Sequence, residues 1–160
     1  MDPFSYIKTP LGWVKIQESN SKLTSLQFVE GPMIPEDQPL TPLSQKVKTD
    51  LKLYFESGIL NPSFPLEPEG TPFQKQLWDL LLQIPKGKTI SYKQLAQLFG
   101  NPKAIRSVAN AVAKNPILLY IPCHRVIGSD GSMTGYAAGI QKKIGLLERE
   151  GVSIQKRLNL

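Results

Sequence analysis

Apolar and polar residues alternate along the first thirty positions in a way that predicts strands. Residues 13–16 alternate directly, and runs at 4–8 and 23–29 have a similar character. A turn at residues 10–12 and polar residues at 19–21 separate these runs. Alternation with a period of two is typical of half-buried strands, and short polar separators are typical of hairpins. The pattern therefore predicts a small antiparallel sheet.

The apolar spacing becomes helical after this sheet. Thr41-Pro42 is a helix start, because threonine caps well and proline suits the first helical position, and Gly58 is a natural stop. The same start recurs at Thr71-Pro72, and a final helix is predicted over roughly 140–150. Proline-rich residues lie between the first two helices. We therefore predict an N-terminal unit over 1–60, a linker over 61–70 and a C-terminal unit over 71–160.

Two short helices joined by a tight turn are predicted in the C-terminal unit. Ser91 caps the first, Gly100 ends it, and Asn101-Pro102 starts the second. A turn this short between two helices is the pattern of a helix-turn-helix, although a solvated helical hairpin has the same pattern. Outside its apolar stripe the second helix carries Lys103, Arg106, Ser107, Asn110 and Lys114.

Charge favours a polyanionic partner for this region. The formal net charge is +6, from 19 basic and 13 acidic residues, and the basic excess is concentrated between residues 86 and 125. A local basic excess favours nucleic-acid binding more strongly than the total does, because many basic proteins bind none. No secretory signal and no apolar run of membrane-spanning length are seen, so we expect a cytoplasmic protein that is not bound to a membrane.

The only cysteine and the only histidine are adjacent, at Cys123 and His124. A thiol is a strong nucleophile as its thiolate, and a nearby imidazole favours that form. The alternative is a small buried thiol beside a structural histidine. Successive side chains of a strand point to opposite faces, so the two cooperate only if the backbone turns or something bridges them. The apolar run 117–121 predicts a buried, extended segment, and Pro122 ends it at a turn.

Taken together, these features resemble the O6-alkylguanine-DNA alkyltransferases, also called methylated-DNA–protein-cysteine methyltransferases. The resemblance covers about residues 71–151 and rests on residues 121–126 (with the sequence Pro122-Cys123-His124 at their centre), the helix-turn-helix before them and Glu150 after them. The first seventy residues match only in general character. The resemblance implies an α+β fold: an N-terminal RNase H-like unit with a small antiparallel sheet and one helix, and a C-terminal helical domain carrying the helix-turn-helix and the active cysteine.

The resemblance also implies a chemistry. Cys123 is the nucleophile and permanent acceptor, and it takes an alkyl group from O6-alkylguanine, or a methyl group from O4-methylthymine, by direct displacement. His124 takes the thiol proton through a bridging water, and Glu150 orients the imidazole. Asn115 braces the turn that carries the cysteine. Tyr92 donates a proton or hydrogen bond to the departing guanine, which suits a neutral phenol.

The implied partner is double-stranded DNA carrying the lesion, from which the target base is flipped. The second helix enters the minor groove and Arg106 fills the vacated place in the stack. The other DNA contacts are assigned to Tyr92, Ser91, Lys103, Ser107, Asn110, Arg125 and Ser129. The base pocket is assigned to Val126, Tyr136, Ala137, Ala138 and Gly139.

The pocket departs from the family pattern at one place. Many relatives have Ser-Gly-Gly where this chain has Ala137-Ala138-Gly139, so a hydroxyl donor to guanine O6 is missing and only the Ala137 N–H remains. Losing such a hydrogen bond costs about 0.5–1.5 kcal/mol. The Ala138 methyl group also narrows the pocket, so we expect bulky adducts to be tolerated less well.

The same residues leave two other classes of protein to consider. A DNA-binding protein with an inert cysteine and a cysteine hydrolase are the alternatives, although the sequence shows no signature of the oxyanion hole that a hydrolase needs. One cysteine excludes an intramolecular disulfide framework and a cysteine-rich zinc site. We therefore expect no metal. We also expect no cofactor, and a protein that acts as a monomer.

Overall fold

The N-terminal part of the chain folds as a three-stranded antiparallel sheet with one helix. The computed structural model describes residues 4–31, 40–133 and 135–153. Its sheet has the order β1 (Phe4–Thr9), β2 (Gly12–Ser19) and β3 (Lys22–Val29). Asn20 and Ser21 connect β2 to β3 and both have positive φ, as a two-residue type I′ hairpin requires. The predicted sheet is confirmed.

Helix α1 (Pro42–Ser57) begins and ends where the sequence predicts. The Thr41 hydroxyl accepts a hydrogen bond from the Ser44 N–H at 3.0 Å, and Gly58 ends the helix with a φ of 78°. Leu43, Val47, Leu51 and Tyr54 form its buried stripe. The Tyr54 carbonyl accepts the Gly58 N–H, which satisfies one of the carbonyls left open at the end of a helix.

The chain divides into two compact units, Met1–Glu69 with Pro116–Tyr120, and Gly70–Asn115 with Ile121–Leu160. The first unit includes residues that the sequence assigned elsewhere. Leu66, from the predicted linker, pairs with Leu23 in β3, and Ile117 pairs with Leu26. These bridges satisfy N–H and C=O groups along β3 that an edge strand otherwise leaves unpaired.

The run 117–121 is buried but is not the extended segment that the sequence predicts. Leu119 has a φ of 73°, and the Tyr120 N–H donates to the Leu118 carbonyl at 2.9 Å. A hydrogen bond over two residues closes a γ-turn, which reverses the chain within the buried run. The prediction of a stiff extended segment is therefore wrong for this stretch, because apolar composition alone does not distinguish a strand from a buried turn.

The second unit is mainly helical. Strand β4 (Ile90–Ser91) pairs in parallel with strand β5 (Val126–Ile127), with Ile90 opposite Val126 and Ser91 opposite Ile127. Short 3₁₀ turns at Pro102–Ala104 and Cys123–Arg125 complete the unit. Its elements are α2 (Pro72–Leu81), β4 (Ile90–Ser91), α3 (Tyr92–Phe99), α4 (Ile105–Ala113), β5 (Val126–Ile127) and α5 (Ile140–Arg149).

The helix-turn-helix consists of α3 and α4. Gly100 ends α3 with a φ of 95°, and the first turn of the second helix is 3₁₀, over Pro102–Ala104, before the α-helix begins. Behind the pair, the Trp78 indole is buried and donates to the Ala111 carbonyl at 2.9 Å, which ties α2 to α4. The α+β class predicted from the sequence is confirmed. Within the described ranges, none of the helices combines the length and apolarity needed to cross a bilayer.

Candidate active site

Cys123 lies at a tight turn built by its neighbours. Pro122 has φ −81° and ψ 63°, and the Cys123 N–H donates to the Ile121 carbonyl at 2.8 Å, which is the geometry of an inverse γ-turn. The Asn115 side chain donates to the same carbonyl at 2.8 Å and also hydrogen-bonds to the Cys123 thiol. Asn115 therefore lies in contact with the turn that it was predicted to brace.

The pairing of β4 with β5 brings Tyr92 close to the turn that contains Cys123. Ile90 and Ser91 precede Tyr92, and they pair with the residues that directly follow the Cys123–Arg125 turn. Ser91 caps α3 by accepting the Gln94 N–H at 3.0 Å. Burial raises the pKa of the Tyr92 phenol, and the nearby Cys123 thiolate raises it further. The phenol is therefore a neutral hydrogen-bond donor at physiological pH.

The Glu150 carboxylate is the centre of the buried hydrogen-bond network. Its Oε2 lies 2.7 Å from His124 Nε2, and its Oε1 accepts from Arg125 Nε at 2.8 Å. Arg125 Nη1 donates in turn to the Ile84 carbonyl at 2.5 Å. Both carboxylate oxygens therefore have a hydrogen-bond donor, as a buried carboxylate requires.

These contacts define the state of His124. Burial lowers the pKa of the imidazole, against the hydrogen bond and charge of Glu150, which raise it. The resting imidazole is therefore neutral, and its Nε2–H donates to the carboxylate. Nδ1 then carries the lone pair. It is buried and has no hydrogen-bond partner among the described residues. An acceptor left unused in a buried site is well suited to take a proton during a reaction.

The Cys123 sulfur is held as a thiol in the resting protein. Burial raises its pKa to about 11, although the Asn115 hydrogen bond and the Lys143 charge lower it in part. A buried thiol with a raised pKa reacts slowly with adventitious reagents. For this thiol to act as a nucleophile, its proton has to leave and the site has to stabilise the negative charge that then forms on sulfur.

Lys143 is a buried charged residue of the site that sequence reasoning missed. Its side chain is fully buried in α5, its Nζ donates to the Val126 carbonyl at 2.5 Å, and it lies 5.8 Å from the centre of the Tyr92 ring. Burial lowers its pKa to about 8, and the charge of Cys123 opposes this. The missed signal was its place on the apolar stripe of α5, three residues after Ile140 and four before Leu147.

The residues predicted to contact DNA fall into two groups. Lys103, Arg106, Ser107 and Asn110 are exposed on α4 and the turn before it, and the last three line a hollow of about 330 Å³ with the start of α2. Arg125 differs, because its guanidinium is bonded to Glu150 and Ile84, inside the unit. The structure therefore places Arg125 with the buried network and not on the basic surface.

A second hollow brings together two of the predicted serines. Ser91 and Ser129 line a space of about 260 Å³ together with Lys93. Ser129 is exposed in a turn that is closed by the Gly131 N–H donating to the Gly128 carbonyl at 2.9 Å. Polar side chains and a lysine around a small hollow are suitable for contact with a phosphate.

Four of the predicted base-pocket residues, 136–139, form a continuous segment that leads into α5, and the fifth is Val126. Val126 and Tyr136 are buried, Ala138 is half-buried, and Ala137 and Gly139 are exposed. The Gly139 N–H donates to the Tyr136 carbonyl at 3.0 Å, so the segment is a tight turn. Val126 lies apart in β5, where its carbonyl accepts from Lys143.

Comparison with known proteins identifies the family. Residues 72–152 match the family model described as 6-O-methylguanine DNA methyltransferase, DNA binding domain. A methylated-DNA–protein-cysteine methyltransferase of Methanosarcina barkeri is 39% identical over 151 residues, which covers 92% of this chain and 96% of that protein. The chain belongs to the 6-O-methylguanine DNA methyltransferase family, as the sequence predicts. The predicted enzyme class is the one that this relative's name states.

Solved structures agree with this assignment. A single-residue variant of Mycobacterium tuberculosis O6-methylguanine methyltransferase has a TM-score of 0.82 and 37% identity, over 94% of this chain and 93% of that one. M. tuberculosis OGT in complex with DNA has a TM-score of 0.80 and 38% identity, over 92% and 91%. The similarity therefore extends over both units of the chain.

Gly135 offers a test of how tightly Tyr92 is held. A Cβ at Gly135 would collide with the Tyr92 hydroxyl, and Gly135 also has a φ of 90°, which alanine adopts with strain. We expect Gly135→Ala to lower the free energy of unfolding by about 1–3 kcal/mol in urea denaturation. Gly151→Ala is the matched control, because Gly151 has a φ of 89° and open space around it.

Gly135→Ala should lower the free energy of unfolding more than Gly151→Ala does. This difference should shrink in a Tyr92→Phe background, because the hydroxyl that the new methyl group meets is then absent. Equal losses for Gly135→Ala and Gly151→Ala, with no relief by Tyr92→Phe, would show that the Tyr92 hydroxyl does not lie against Gly135.

Proposed function

We propose that this protein repairs double-stranded DNA by moving an alkyl group from O6 of guanine to its own Cys123, once per molecule. The supporting observation is the buried cluster in which Cys123 lies beside a neutral His124 held by Glu150, the Tyr92 phenol and the Lys143 ammonium. Family membership supports the substrate class. O4-methylthymine presents a similar alkylated oxygen and is the second substrate that we propose.

The chemical step is a direct displacement at the alkyl carbon. As the sulfur–carbon bond forms, the carbon–O6 bond breaks and its electron pair stays with guanine. The thiol proton passes to His124 Nδ1, by way of a water molecule, and Tyr92 donates a proton to the departing base. The proton held by His124 then replaces the one that Tyr92 gave up. Overall, Cys123 exchanges a proton for the alkyl group and guanine gains a proton. The thioether has no leaving group as good as guanine, so the protein is used up.

Lys143 acts when negative charge develops on the Cys123 sulfur. A fixed positive charge in a buried site stabilises developing negative charge more than it does in water. The same ammonium holds the Val126 carbonyl and lies near the Tyr92 ring, so it also orders the two segments beside the cysteine. We propose that Lys143 is part of the catalytic machinery, together with His124 and Glu150.

The exposed basic face of α4 provides the DNA contact. A buried sulfur cannot reach a stacked base, so the nucleotide must leave the duplex. Arg106 is exposed on α4 beside Ser107 and Asn110, and we propose that it occupies the gap left by the flipped base. One copy of the chain contains all of these residues, so we propose that it acts as a monomer. The free thiol that this needs is maintained in a reducing compartment such as the cytoplasm.

Mass spectrometry tests the proposed reaction. Protein incubated with excess duplex containing O6-methylguanine should gain one methyl group, and peptide mapping should place it on Cys123. No further lesion should be repaired after the protein is modified, and Cys123→Ser should stay unmodified. Unmodified protein that still binds the duplex would indicate a DNA-binding protein with an inert cysteine. Repair of many lesions by unmodified protein would indicate a turnover enzyme.

Replacing Lys143 separates its chemistry from its packing. We expect Lys143→Met to slow methyl transfer about tenfold, equivalent to about 1.4 kcal/mol, because the charge facing the thiolate is lost. The free energy of unfolding should change little, because the variant loses the cost of burying a charge but leaves the Val126 carbonyl without its hydrogen-bond donor. Single-turnover kinetics and urea denaturation measure the two effects.

Lys142→Met, one residue earlier on α5, is the control and should leave the rate within about twofold of wild type, or less than about 0.4 kcal/mol. A Lys143→Met protein that transfers as fast as wild type would remove Lys143 from the mechanism.

Arg106→Ala tests base flipping. The variant should repair duplex at least about tenfold more slowly, because the flipped state loses the side chain that fills the stack. Transfer from free O6-benzylguanine should be unchanged, since no duplex has to open. Lys114→Ala removes the same charge from the end of the same helix and should affect duplex repair much less. Equal losses on both substrates would contradict the role given to Arg106.

A further inference from the structure

The sheet of the N-terminal unit has one edge that the described residues leave open. β3 is covered along its outer edge by the bridges to Leu66 and Ile117. β1 pairs with β2 on one side, and no strand or bridge among the described residues pairs with its other side. An open edge presents N–H and C=O groups that can accept a further strand.

A groove runs beside this open edge. It has a volume of about 320 Å³ and lies between β1, through residues 7–10, and one flank of α1. Its apolar lining comes from Ile7 and Leu51, which are buried, and from Phe55, which is half-buried. A hollow of this size accommodates one or two apolar side chains. The groove therefore offers both backbone groups and an apolar surface to the same ligand.

The rim of the groove is basic. Lys8, Lys48 and Lys52 line it and are exposed, against the single acid Glu56. Among the residues that the structure describes, none of the three lysines forms an ion pair. Asp50, the other acid of α1, accepts from the Tyr120 hydroxyl at 2.9 Å. The rim thus carries an excess of two positive charges with nothing in the described structure to neutralise it.

We propose that this groove is a docking site for a short, extended, acidic peptide segment of another protein. The segment adds to the open edge of β1, places an apolar side chain against Leu51 and Phe55, and sets its carboxylates against the rim lysines. Each part of this ligand matches one observed feature of the site. Its backbone matches the open edge, its apolar side chain matches the apolar lining, and its carboxylates match the unneutralised positive charge. The proposed site is separate from the chemistry at Cys123 and goes beyond the proposed repair function.

Binding of a defined probe tests the proposal. The probe is a fluorescein-labelled peptide of sequence Gly-Asp-Glu-Asp-Leu-Phe-Val-Asp, titrated with the full-length protein and followed by anisotropy. We expect saturable binding in the micromolar range that weakens as salt is raised. The double substitution Lys48→Glu, Lys52→Glu should weaken binding at least tenfold. Amide hydrogen exchange should slow in β1 when the peptide is bound.

Lys46→Glu is the control, and it is compared with Lys48→Glu alone, which changes the net charge by the same amount. Lys46 lies two residues before Lys48 on α1, about 200° around the helix axis, and is also exposed, but it does not line the groove. It should bind the probe as wild type does. All variants should repair methylated duplex at the wild-type rate, which keeps this test independent of the repair function.

Three outcomes would overturn the proposal. The first is no saturable binding, which would mean that the lysines only protect an edge strand from aggregation. The second is equal weakening by Lys46→Glu, which would indicate general attraction to a basic protein. The third is displacement of the probe by undamaged duplex DNA, or by self-association seen in sedimentation, which would assign the groove to DNA or to a second copy of this chain.

Discussion

The active site depends on one buried carboxylate with two partners. Glu150 ends α5, and its two oxygens bind His124 and Arg125, two consecutive residues of the turn that begins with Cys123. A buried carboxylate with a missing partner is strongly destabilising, so these contacts fix the turn against the helix. They also favour the imidazole tautomer that leaves Nδ1 free to accept the thiol proton in the proposed reaction. In the proposed reaction, the chemistry of Cys123 therefore depends on the position of a residue 27 places later in the chain.

The charged groups around Cys123 are better suited to a thiolate than to the thiol of the resting protein. Arg125 and Lys143 contribute two positive charges and Glu150 one negative charge, while His124 is neutral and Cys123 is a thiol. The resting cluster thus has a net charge of +1. If the thiol proton left the cluster, formation of the thiolate would bring the net charge of the cluster to zero. Burial disfavours the thiolate in the resting protein, and in the proposed reaction the surplus positive charge stabilises the thiolate as it forms.

Local signals in the sequence predicted much of this fold. Helix boundaries could be predicted from residue type, because certain residues favour helix ends. Thr41-Pro42 and Ser91 begin helices, and Gly100 ends one. The adjacency of Cys123 and His124 indicated chemistry, but only the resemblance indicated Glu150, because a contact over 26 residues leaves no periodic pattern. Roles for individual site residues stay predictions.

Long-range contacts account for what the sequence did not show. Arg125 was assigned to DNA because exposed and buried arginines look the same in a sequence, and Ile84, whose carbonyl it binds, is 41 residues away. Lys143 was overlooked because a lysine in a helix is usually solvated. The turn at Leu119 was missed because leucine rarely adopts positive φ. The most direct test of the central claim is the ¹⁵N NMR spectrum of the single histidine at pH 7. A neutral imidazole with its proton on Nε2 and a lone pair on Nδ1 is predicted; an imidazolium, or a proton on Nδ1, would contradict it.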